Sequence, residues 1–127
     1  MTPTLAALGQ ANYATPYTIA TLAGGQNGYA NGTGSAAQFS SPWGAAVGSA
    51  GNVCVADFGG GAVRQVTLVG TNWQVSTLAA GFSAPSSVAV DNATNLYVAD
   101  QGASLIRKLT RVGTNWVVST IAGPAGF

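Results

Sequence analysis

Short apolar runs recur along the chain, and clusters of Gly, Asn and Ser break them at intervals of about 8 to 12 residues, the spacing of an all-β domain with many turns. The pattern predicts strands over Gly44 to Gly48, Asn52 to Ala56, Ala62 to Leu68 and Trp73 to Ala79, with turns at 49–51, 58–61 and 70–72. Four more follow at Ser87 to Val90, Asn95 to Ala99, Leu105 to Thr110 and Trp116 to Ala122. Several of these strands are apolar on both faces, as in Asn52-Val53-Cys54-Val55-Ala56 and Leu96-Tyr97-Val98-Ala99. A strand of that kind belongs to a sheet covered on both sides. No segment keeps a 3.6-residue apolar period, so the cover is expected from other sheets.

Self-similarity fixes the organisation. A shift of 43 positions lays Phe39 to Gly81 onto Phe82 to Pro124 without a gap, and about half of the pairs are identical. Val55-Ala56-Asp57 falls on Val98-Ala99-Asp100, Arg64 on Arg107, Pro42 on Pro85, and Gly70-Thr71-Asn72-Trp73 on Gly113-Thr114-Asn115-Trp116. Tyr17 to Gly24 repeats the last strand of each unit, and Ala125-Gly126-Phe127 repeats Ala80-Gly81-Phe82. The expected division is an N-terminal extension at 1–17, an extra outer-type strand at 18–24, a glycine-rich loop at 25–38, blades at 39–81 and 82–124, and the start of a further unit at 125–127. Both ends read as cuts through a longer array, natural or engineered.

The order Phe-x-x-Pro-x-x-x-Ala-Val, Asn-x-x-Val-Ala-Asp, an Arg seven residues on, then Ser-Thr-Leu/Ile-Ala resembles the NHL repeat, and both units carry it. Cys54 departs from the Tyr usual there, which Tyr97 keeps, and Gly60 and Ala103 replace a polar hairpin residue. The resemblance implies a β-propeller of four-stranded antiparallel blades, commonly six, serving as a platform for proteins, RNA or small ligands. An enzymatic branch of similar folds uses His ligands around zinc, and this chain has no His. No cofactor or metal is therefore expected, and no catalysis.

Charge narrows the partners. Four basic and three acidic residues leave a net +1, too little for a surface that binds nucleic acid through many phosphates. No apolar run is long enough to span a membrane as a helix. Met1 to Gln10 lacks a basic n-region, so no secretory signal is expected within the chain, and the composition is compatible with a secreted bacterial parent. The single Cys54 reads as a buried small hydrophobe.

Candidate chemistry is sparse. Asp57 and Asp100 with Arg64 and Arg107 recur once per unit, which favours a structural pair needed by every blade over acid and base catalysis. Pro42 and Pro85 belong to the same repeated framework. Asp91 to Asn95 lacks the further oxygen ligands of a calcium loop and reads as a turn, and Gly59-Gly60-Gly61 reads as a tight hairpin. Gln26, Asn27, Tyr29 and Asn31 supply polar groups on the long loop for a protein or other ligand, and Trp73 and Trp116 could each stack on a sugar ring. Two blades alone would leave apolar faces bare, so the leading expectation is a homo-oligomer, a three-chain ring of six blades. A lectin-like or protein-binding module is the alternative.

Overall fold

The computed structural model describes residues 16–124. Residues 1–15 of the expected extension at 1–17, and the further unit at 125–127, lie outside them. Eleven strands are described: β1 (Gln26–Asn27), β2 (Gly32–Thr33), β3 (Gln38–Phe39), β4 (Pro42–Val47), β5 (Val53–Asp57), β6 (Ala62–Val69), β7 (Asn72–Ala80), β8 (Pro85–Val90), β9 (Leu96–Asp100), β10 (Leu105–Val112) and β11 (Asn115–Ala122). Two antiparallel sheets result, in the orders β2-β7-β6-β5-β4 and β11-β10-β9-β8. β1 and β3 form a separate short parallel pair. The eight strands foreseen by apolar patterning are all present, with ends moved by two residues or fewer.

Hairpins build both sheets, and glycine or its stand-in turns the chain. Gly61 has φ +59 in the β5–β6 turn, and its repeat counterpart Ser104 adopts the same left-handed conformation at φ 58. The residue just before β6 and just before β10 takes this conformation, whichever side chain it carries.

The sheets stack through one continuous apolar joint. Cys54, Ala56 and Val63 from the first sheet pack on Phe82, Val88, Leu96, Val98 and Leu109 of the second, with Leu78, Ala79, Trp116 and Val118 at its margin. β4 and β5 lie close on β8, whereas the outer strands β7 and β11 barely touch. The two layers therefore converge at one edge and diverge at the other. Gly44 permits the close edge: a Cβ there would lie 2.7 Å from the Ser86 carbonyl oxygen and 2.9 Å from the Ser87 Cα. Backbone meets backbone, so nothing can swing away. Gly44→Ala is expected to force the sheets apart at a cost of about 1–3 kcal/mol, read as a lowered urea midpoint with unchanged slope.

On the other face of the first sheet, Val55, Val66 and Val75 are buried under Ala37, with Ala23, Phe39 and Trp73 around them. Residues 25–38 supply much of that cover. They are not the plain glycine-rich connection expected, because they fold into β1, β2, a 3₁₀ turn at Gly34–Ala36 and the start of β3. The strand expected at 18–24 is a second correction: those residues form none, and Tyr17 and Ile19 stand fully exposed. A strand needs a hydrogen-bonding edge beside it. β2 holds the outer edge of β7, and the edge of β11 lies on the other sheet.

Candidate functional site

Each sheet carries the same charged device. Asp57 closes β5 and Asp100 closes β9, and both carboxylates are fully buried. Asp57 accepts the Ser40 N–H at 2.8 Å, and Asp100 accepts the Ser83 and Ala84 N–H groups at 3.0 and 2.9 Å through one oxygen. Each Asp thus pins the chain as it enters the first strand of its sheet, next to Pro42 or Pro85, which open β4 and β8 at a bulge and need no ladder donor. Pro85 is buried in the joint while Pro42 is exposed.

The arginines differ in a way the repeat does not announce. Arg64 is fully buried and meets Asp57 Oδ2 at 3.1 Å through Nη1. The same Nη1 donates to the Gln38 carbonyl at 3.0 Å, and Nη2 donates to the Ala30 carbonyl at 2.8 Å and to Asn31 Oδ1 at 2.9 Å. The Tyr29 ring covers the guanidinium 4.8 Å from its centre and the Phe39 ring lies 5.1 Å away. Thr77 Oγ1 also donates to Asn31 Oδ1 at 3.0 Å. Arg107 has its Nε 3.3 Å from Asp100 Oδ2 and the Phe82 ring at 5.5 Å, and its side chain keeps 24% exposure.

Of the loop residues picked out from sequence, Tyr29 and Asn31 come together on Arg64, so their polar groups serve the chain itself. Gln26 and Asn27 sit in β1, exposed, beside a shallow groove with Phe39 and Pro42. Trp73 and Trp116 pack in different clusters. Trp73 packs on the Val55–Val66–Val75 cluster, and Trp116 packs on the joint while lining a cleft of about 180 Å³ with Asn52, Gln65 and Arg111. Cys54 is buried in the joint, where burial pushes its thiol up. Asp91 accepts Asn95 Nδ2–H, the Tyr97 hydroxyl and the Ala93 and Asn95 N–H groups at 2.9–3.0 Å. These bonds, the Asn95 side chain's first, lower its carboxyl, and the bond to Asp91 raises the Tyr97 phenol. That is an Asx-type turn satisfied from within.

Sequence reasoning missed an exposed aromatic pair. Trp43 stacks on Phe58 with centroids 4.0 Å apart and planes 14° off parallel, and neither residue has an aromatic counterpart in the second sheet. Trp43 also lines an apolar cleft of about 410 Å³ with Leu22, Phe39, Ala45, Val53 and Val55. On the outward face of the second sheet, Ala99, Leu105, Ile106 and Ala122 line another, of about 390 Å³. Among the described residues no group of three or more His, Cys, Asp or Glu side chains could hold a metal ion. No curated protein matches the chain. Residues 39–66, the span from Phe39 through Asp57 and Arg64 to Val66, match the family model for the NHL repeat, a unit of propeller-type interaction scaffolds.

Proposed function

With an NHL repeat as its first blade, we propose that the chain is a non-catalytic interaction scaffold whose first partner is a further copy of itself. Successive copies join head to tail, and three of them close a six-bladed propeller.

One observation carries this reading: the two outward faces are the two halves of the internal joint moved by one repeat, and loop 25–38 covers only part of the first, leaving the cleft beside Trp43 open. Val63 and Cys54 are buried in the joint, and their counterparts Ile106 and Tyr97 lie on the outward face of the second blade, where Ile106 keeps 40% exposure. Val88 and Leu96 are buried from the other side of the joint, and their counterparts Ala45 and Val53 line the cleft beside Trp43. The second cleft, lined by Ala99, Ile106 and Ala122, has the repeat counterparts of Ala56, Val63 and Ala79, residues that pack in one cluster with Phe82. A following copy offers Phe39 for that place. Such a contact joins two different faces, so it continues until the rotation closes a circle.

Repeat units that cover only one flank each gain stability by stacking, which favours assembly over a lone pair of blades. Native mass spectrometry of the intact chain at micromolar concentration is expected to show a three-chain species. A folded single chain at every concentration would overturn the proposal.

A further inference from the structure

Loop 25–38 makes three engagements on the first sheet whose counterparts on the second sheet, on the face that turns toward the joint, have no such partner. On the first sheet three features are engaged at once. The guanidinium of Arg64 gives its Nη groups to two peptide carbonyls and one side-chain amide oxygen, under a tyrosine ring. The Thr77 hydroxyl donates to the same Asn31 oxygen and stands 3.4 Å from the Tyr29 hydroxyl. The outer edge of β7 pairs with β2, Gly32 opposite Val75 and Thr33 opposite Gln74.

Each feature has its counterpart 43 residues on, and there each is open. Arg107 retains the lower half of the arrangement, with Asp100 at 3.3 Å and the Phe82 ring beneath. Among the described residues no carbonyl or amide oxygen takes the places that Ala30, Gln38 and Asn31 take on the Arg64 Nη groups, while the Nε lacks a hydrogen-bond partner at both arginines and does not distinguish them. Thr120, the counterpart of Thr77, is exposed, and the edge of β11 at Val117 and Val118 has no strand beside it. The reason is covalent. Only Gly81 separates β7 from Phe82, where the first sheet has the whole of 25–38 ahead of Phe39. β7 and β11 barely touch, and the Arg107 side chain keeps 24% exposure.

We propose that the Arg107–Thr120–β11 surface is a docking site for an extended peptide of a partner protein carrying a Tyr-x-Asn element, bound as Tyr29-Ala30-Asn31 is bound on Arg64. Aligned peptide carbonyls and an amide oxygen suit a guanidinium fork, and an added strand satisfies the β11 edge. The site lies inside one chain, so it does not depend on ring formation.

The test uses a synthetic peptide with the sequence of residues 25–38, titrated into the intact protein and followed by backbone amide NMR shifts. Saturable shifts at Val117, Val118 and Thr120 are expected, with a dissociation constant on the order of 0.1–1 mM, given so few polar contacts and the ordering cost of a free peptide. Arg107→Gln in the protein should weaken binding at least tenfold, as should replacing the tyrosine and asparagine of the peptide by alanine. The altered peptide leaves the protein untouched and so decides the matter where Arg107→Gln fails to fold. Absence of saturable binding, shifts confined to Val75 and Thr77, or equal binding by the altered peptide would overturn the site.

Discussion

Arg64→Ala is expected to cost about 3–5 kcal/mol, the range for removing one partner of a buried ion pair, whereas Arg107→Ala should cost less, about 1–3 kcal/mol, because its side chain keeps 24% exposure. The two residues hold the same place in the repeat, so the contrast isolates their surroundings. Arg64 is wholly enclosed, and its loss strands a fully buried Asp57 carboxylate that keeps the Ser40 N–H. It also unties residues 25–38, whose carbonyls at Ala30 and Gln38 and amide at Asn31 converge on it. Arg107 is partly in water, and Asp100 retains the Ser83 and Ala84 N–H groups without it. Against a total of about 5–15 kcal/mol for a small domain, the first change leaves little margin and the second leaves more. Urea unfolding of the two variants checks the pair of values. Equal losses would mean that loop 25–38 adds nothing to the first site.

Ile106→Asp should abolish assembly and leave the fold intact, while Val63→Asp at the matching position should abolish the fold. Val63 is completely buried in the joint, and a carboxylate there has neither water nor a partner. Ile106 has solvent beside it within one chain and would lose it only against the next copy. Light scattering should therefore report a single-chain mass for Ile106→Asp together with wild-type circular dichroism. Assembly as strong as wild type would exclude the outward face of the second blade from the contact.

How much of this was legible in the sequence follows from the distances involved. The 43-residue period and the turn clusters marked every strand of both sheets except β2, because hairpins are local and the apolar runs are bounded by glycine and asparagine. The recurrence of Asp57 with Arg64 and of Asp100 with Arg107 marked them as partners, and each pair meets in the structure, at 3.1 and 3.3 Å. The strap over Arg64 was not legible. Its contacts span 26 to 34 positions in the chain and use main-chain carbonyls, which leave no residue-type signature. Tyr17 to Ala23 misled for the opposite reason: its sequence copies a strand, but its edge partner is not within reach. Trp73 and Trp116 were visible as residues, but which side each ring packs on is set by the facing layer.

The glycine that lets β4 lie so near β8 also bears on stoichiometry. In an annulus of like sectors, the angle each sector subtends depends on how far apart neighbours stand at the hub relative to the rim. Bulk added at the hub narrows that angle, and more sectors are then needed to complete the turn. In the proposed ring, side-chain volume at position 44 and at its counterpart Ser87 would thus tune the number of subunits.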